Sequence, residues 1–280
     1  MTNPEYGKFS PMPSLEFLSL ANNDLNGTFP WFVLNCTGRR MRWLDLSANS
    51  FSGHIPSSLP EMIPRLRYLN LSYNGFSGPM PRSLPRLQEL EELCLDNNNL
   101  TGGIPEELGM LSELYLLMLS NNTLDGPIPA SLGNLTSLGI MDLSRNQLHG
   151  SIPPCLAKMQ HILAFRLSGN NLNGVIPPEL FTNWTMLQLF DLSKNSFSGS
   201  IPAQIFNFTI LRYVILSHNK FTGTISNLNG MESPILCQLH FLWICHTTNY
   251  LESSLVAFGA CGIYSSWICL ATLWLGKLQP

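Results

Sequence analysis

Three groups of residues have the types and spacing to do chemistry. Asp142, Arg166 and Asp191 place two carboxylates on either side of a guanidinium at nearly equal spacing along the chain. Paired carboxylates can share general acid and base work only if one of them is held protonated. The arginine between them favours both charged forms. The trio therefore reads either as a charged clamp for a polar ligand group or as a solvated charge ladder, and catalysis is not expected. Cys237, His240, Cys245 and His246 offer four zinc-ligating side chains. The adjacency of Cys245 and His246 and their apolar surroundings suit a tetrahedral site poorly, so no metal is expected. Phe17, Trp43 and Tyr68 recur at nearly that same spacing and could anchor a partner through aromatic contacts. No Gly-rich loop, HRD or DFG segment is present, and no cofactor is implied.

The elements that would position these residues come from an internal repeat. The template L-x-x-L-x-L-x-x-N-x-L/F-x-G-x-I-P starts at Leu15, Met41, Leu66, Leu90, Leu114, Leu138, Ile162, Leu187 and Leu211. The starts are almost evenly spaced. Such a period belongs to a solenoid, in which each turn buries its apolar side only by stacking on its neighbours. Met141 and Leu143 are two apart and project to the same side of a short strand. The ninth position is always asparagine, from Asn23 to Asn219. An amide at each strand exit can satisfy backbone groups of adjacent turns, so these residues are expected to form a structural ladder. The glycines from Gly27 to Gly223 mark a recurrent bend, and pairs such as Ile55-Pro56 end strand pairing and open the convex side.

Positions three, five and seven of the template alternate away from the core onto a concave face, about 4.8 Å from turn to turn. The candidate ligand-binding residues there are Phe17, Trp43, Asp45, Tyr68, Glu92, Met118, Asp142, Arg166, Asp191 and Tyr213. The competing reading of the rings is mutual packing under neighbouring side chains. Position seven is mostly serine and carries little information.

Charged residues make up 12% of the 280-residue chain and the net charge is −3, which leaves no basic footprint for nucleic acid. Seven cysteines fit a closed disulfide framework poorly. Cys36, Cys94 and Cys155 lie too many turns apart to bridge one another. Glycosylation sequons are a better indicator of compartment. Asn26, Asn35, Asn99, Asn134, Asn183 and Asn207 are candidate acceptors, with further matches at Asn70 and Asn121. Asn70 points onto the proposed binding face, where a glycan would obstruct it.

The extension L-x-G-x-I-P after the asparagine resembles the plant-specific class of leucine-rich repeats. LRYLNLSYNGFSGPMP and LGNLTSLGIMDLSRNQLHGSIP look like segments of receptor-kinase ectodomains. The resemblance covers about Leu15 to Ile225. It implies an α/β leucine-rich-repeat solenoid of about nine repeats, a curved right-handed superhelix with a parallel concave sheet. It further implies a non-catalytic, receptor-like module for a peptide, protein or glycan ligand, with a possible co-receptor kinase, at the plasma membrane or outside the cell. Polygalacturonase-inhibiting proteins share the repeat class, so a secreted inhibitor is an alternative, as is a truncated receptor fragment without independent function.

The sequence departs from that family pattern at both ends. Residues 1–14 are a lead-in without the family's paired-cysteine cap or a signal peptide, and the repeat domain is expected over 15–226. Ser226 stands where the ninth turn's proline would be. Residues 227–280 carry no repeat, and 253–276, free of charged residues, are long enough for a transmembrane helix. Sequence read in the wrong frame would account for the same tail.

Overall fold

The computed structural model describes residues 12–30 and 40–224. Leucine spacing within each turn builds its strand. Leu138, Met141 and Leu143 are all fully buried, and so are their equivalents Leu114, Leu117 and Leu119 one turn earlier. Each such side chain contributes roughly 1.5–3 kcal/mol once removed from water. The strands pair in parallel and in strict template register, for example Ile140 with Ala164 and Asp142 with Arg166. Among the described residues they form one nine-stranded sheet running from Phe17–Ser19 to Tyr213–Ile215, each strand beside the next in sequence. The expected solenoid and its repeat register are therefore present.

Short helical turns face the sheet across the core. Leu84–Arg86, Glu106–Met110, Ala130–Asn134 and Pro154–Lys158 each insert a fully buried leucine: Leu84, Leu108, Leu132 and Leu156. Pro85 and Pro154 lie in the first turn of their helices, where a missing N–H costs nothing.

The asparagine ladder is built as the sequence suggests. Asn146 donates through Nδ2 to the Leu119 carbonyl of the preceding turn and to Leu143 and Ser144 of its own. Its Oδ1 accepts the Leu124 N–H. Equivalent cross-turn bonds are made by Asn49, Asn74, Asn98, Asn122, Asn170, Asn195 and Asn219. The Asn23 side chain donates to the Leu20 and Ala21 carbonyls of its own turn.

The structure adds two features that the repeat did not announce. The segment after the ladder asparagine is a second set of parallel strands, not merely a bend. Five of these strands, from Asn26–Gly27 to Thr123–Asp125, form one sheet, and four, from His149–Gly150 to Lys220–Phe221, form another. An isolated bridge between Pro127 and His149 links them. In addition, the eighth template position is left-handed in every turn. Asn22, Ala48, Tyr73, Asn97, Asn121, Arg145, Lys194 and His218 have φ between 51° and 57°, and Gly169 has φ 67°. That conformation costs a residue with a Cβ about 1–2 kcal/mol. Bonds between turns hold it: Arg145 N–H donates to Ser168 and its carbonyl accepts from Asn122.

Candidate ligand-binding face

Alternation in the nine strands sends the third and fifth template positions to the open side of the long sheet. At its first turns the third position carries Phe17, Trp43 and Tyr68, which stack on one another along the column. The Phe17 and Trp43 ring centroids are 5.3 Å apart at an interplanar angle of 19°, and those of Trp43 and Tyr68 are 3.4 Å apart at 3°. Phe17 is 57% exposed, while Trp43 and Tyr68 are half-buried. Stacking uses up ring faces, so the column offers a ligand its exposed edges and the outer face of Phe17, while the Trp43 Nε1 is buried. The Tyr68 hydroxyl accepts a bond from Asn70 Nδ2 at 3.1 Å. The indole Nε1 of Trp43 has no partner among the described residues.

Charge on this part of the face is acidic. Asp45, half-buried, accepts through Oδ1 from both the N–H and the hydroxyl of Ser47. Burial holds the Tyr68 phenol well above its ordinary range, with the neighbouring Cys94 and Asp45 adding to the effect. Burial likewise raises Glu92, helped by the repulsion of Glu91. Asp96 is raised by burial against the pull of hydrogen bonds from Ser72 and Asn97. No arginine or lysine occupies the third, fifth or seventh position in the first four turns.

Farther along the sheet the same template positions are used differently. Asp142 and Asp191 are only 3% and 6% exposed. Asp142 Oδ1 accepts from the Ser144 N–H and hydroxyl, and Asp191 Oδ1 does the same with Ser193. Arg166 pairs with Asp142 Oδ2 at 3.2 Å, and its buried Nε finds no partner among the described residues. This carboxylate–guanidinium group is thus largely covered by its neighbours on the open side, and the Asp142 acceptors are taken by Ser144 and Arg166. Met118 and Tyr213 are half-buried on the same face.

The Asn70 sequon lies on this face, whereas four of the candidate acceptors fall on other surfaces. Asn26 and Asn99 are exposed on the second sheet, and Asn134 and Asn183 are exposed at the ends of helical turns. Asn207 ends the last helical turn, and Asn35 lies outside the described residues. Cys94 and Cys155 are free thiols, whereas Cys36 lies outside the described residues. The Cys237–His246 cluster and the 253–276 stretch lie outside them too. Among the described residues no His, Cys, Asp or Glu group could hold a metal ion. No described helix is long and apolar enough to cross a membrane.

Comparison with known proteins settles the family. Leucine rich repeat family models match residues 39–100, and 14–36, 113–135, 137–159 and 186–208. The chain belongs to the leucine-rich-repeat proteins. No curated protein matches it. Among solved structures it is similar to the Arabidopsis receptor kinase HAESA in complex with the peptide hormone IDA and the co-receptor SERK1. That similarity is 38% identity with a TM-score of 0.71, over 75% of this chain and 35% of that one. It is similar to the plant peptide hormone receptor RGFR1 in complex with RGF2 at 31% identity and TM-score 0.68, covering 75% and 37%. A plant ice-binding protein matches at 27% identity and TM-score 0.68, covering 75% and 66%. This leucine-rich-repeat chain therefore spans about a third of the length of the receptor chains it matches.

Sequence reasoning missed the pairing of each fifth-position aspartate with the serine two residues on. The signal was available: Asp-Leu-Ser recurs at 45–47, 142–144 and 191–193, and aspartate next to a serine readily closes such a local turn. The position-seven serines are part of the fold's own hydrogen bonding in these turns.

Proposed function

We propose that this chain is a peptide-recognition module of a plant receptor-like protein, using the open face of its nine-stranded sheet. The single observation that carries this is the continuous Phe17–Trp43–Tyr68 stack, an amphipathic aromatic patch bordered by carboxylates. Aromatic clusters of this kind dominate binding energy in protein interfaces. Asp45 and Glu92 flank Tyr68 with no cation at the third, fifth or seventh position of the first four turns, so the favoured ligand carries a lysine or arginine beside an apolar residue. The likeness to receptors solved with peptide hormones supports the same reading. It also supports a co-receptor kinase as second partner and a location at the plasma membrane or outside the cell. Met118, Asp142, Arg166, Asp191 and Tyr213 continue the face. There the Arg166–Asp142 pair orients polar groups of the ligand more than it anchors them.

The test is selection of a displayed random peptide library on the secreted chain. Selected peptides should be enriched in basic and apolar residues and should be lost by the Trp43→Ala, Tyr68→Ala double variant. Peptides that bind the double variant equally well, or that are acidic, would remove the aromatic patch as the anchor.

A further inference from the structure

Two sequons are presented by one and the same local geometry. Asn134-Leu135-Thr136 and Asn183-Trp184-Thr185 each stand at the end of a helical turn, shortly before the repeats that start at Leu138 and Leu187. In each, the threonine N–H donates to the asparagine carbonyl two residues back at 2.9 Å. The middle residue is a fully buried anchor, Leu135 or Trp184. Trp184 is further fixed by its Nε1 donating to the Leu156 carbonyl at 3.1 Å. With the centre pinned in the core, the asparagine and threonine side chains both turn outward and are exposed. Neither asparagine amide is bonded among the described residues.

The sequon at Asn70 is built differently. Asn70-Leu71-Ser72 starts on the last residue of the Tyr68–Asn70 strand of the long sheet, with Leu71 fully buried and Ser72 5% exposed. Asn70 already donates through Nδ2 to the Tyr68 hydroxyl and accepts the Ser72 N–H. A sugar there would have to displace the Tyr68 contact and fill the face beside the aromatic stack.

We infer that Asn134 and Asn183 carry N-linked glycans in the mature protein and that Asn70 does not. In the transfer, each Asn Nδ2 loses one proton and bonds to the anomeric carbon of an oligosaccharide. The bond between that carbon and the pyrophosphate of a lipid-linked donor breaks, the lipid pyrophosphate leaves with the electron pair, and the amide proton passes to water. The remaining N–H keeps the amide polar, and the exposed position leaves the glycan in water. Both sugars would project from the helical side of the later turns. The same template position in earlier turns is Arg86 and Met110, the latter 62% exposed. A partner approaching the helical side would therefore find its protein surface in the earlier turns.

The inference requires passage through the secretory pathway but not the concave-side ligand, so it can fail independently of the proposed recognition role. The full chain is expressed in plant cells behind a cleavable signal peptide. The secreted protein is then deglycosylated enzymatically in isotopically labelled water and mapped by peptide mass spectrometry. Label should appear at Asn134 and Asn183 and be absent from Asn70. An unlabelled Asn134 or Asn183, or a labelled Asn70, overturns the assignment. Translation in the presence of microsomes supplies a second reading that does not depend on the yield of secreted protein. There Thr136→Ala and Thr185→Ala, both exposed changes, should each remove one glycan-sized step in mobility. An unchanged ladder of steps in either variant also overturns it.

Discussion

The first three turns and the sixth to eighth turns use the open face of the sheet to opposite ends, the first through its third template position and the others through the fifth. In the first, Phe17, Trp43 and Tyr68 stack and leave edges toward solvent, with carboxylates beside them. In the later turns, Asp142 and Asp191 are buried by their neighbours and bonded to Ser144 and Ser193, and Arg166 is tied to Asp142. Alternation alone assigns both sets to the open face. What separates them is reach: a ring extends past its neighbours, whereas a short carboxylate folds back onto the N–H two residues ahead. Projection from a strand is thus a weaker guide to ligand contact than side-chain length and local hydrogen-bonding capacity.

The contrast between the two regions is tested most severely from underneath. Leu143→Asp places an uncompensated charge beneath Asp142 and Ser144 at a fully buried site. It should cost more than about 4 kcal/mol and abolish cooperative melting of the middle turns in circular dichroism. Intact melting would reverse the inward and outward assignment for both regions. Asn146→Ala should cost about 3 kcal/mol by chemical denaturation, since the Leu119, Leu143 and Ser144 carbonyls lose a donor and the Leu124 N–H loses its acceptor. A cost below about 0.5 kcal/mol would mean water substitutes for the rung.

Finer discrimination comes from the faces themselves. Trp43→Ala with Tyr68→Ala should weaken a selected peptide by tenfold or more, roughly 1.4 kcal/mol, while leaving the thermal midpoint of the later turns unchanged. Arg166→Gln should do the reverse. It leaves the Asp142 carboxylate buried without its cation and should lower stability by about 1–3 kcal/mol, with a smaller effect on the peptide. Removing the exposed Arg86–Glu61 pair is the control and should cost less than about 1 kcal/mol.

The acidic early turns also carry a pH signature. Burial raises Glu92 and Asp96 above their unfolded values, so the folded state holds protons more tightly than the unfolded chain. Their penalty is fully present above the raised folded values and is relieved as pH falls toward ordinary carboxylate values. Stability should therefore rise on mild acidification, and Asp96→Asn should flatten that rise. The opposite slope would show that other groups dominate. Binding of a cationic peptide should weaken over the same interval as Glu92 takes up its proton. The smallest effect expected is at Ala48, whose φ of 51° suits glycine: Ala48→Gly should change stability by no more than about 1 kcal/mol, in the stabilising direction.

Much of this was legible because leucines and asparagines recur in register. Met141 and Leu143 announced the core side and Asn146 the rung, since an amide supplies both an NH2 donor and a carbonyl acceptor at that point. The second sheet was hidden because segments such as Ser50–Gly53 hold one apolar residue and end on glycine, which reads as a break. The left-handed eighth position was hidden because Ala48, Tyr73, Arg145 and Lys194 give no local sign of it; the neighbouring turns impose it. For Asp142 and Asp191 a sign existed in the following serines, but the alternation argument overrode it.

The asparagine rungs reach one turn back and no farther, so the molecule is counted in whole turns. Leu114 to Ser137 is one such unit. Removing that unit brings Asn146 against the turn that held Asn98, with the same Leu carbonyl and the same N–H waiting in register. Removing half of it would leave every later rung facing the wrong atom, whereas turns of 26, 25 and 24 residues keep the same rung, so a difference of one or two residues is absorbed within a turn. Larger changes of length come in complete repeats, and a change of one repeat alters which side chains become neighbours on the open face without altering how the chain is joined.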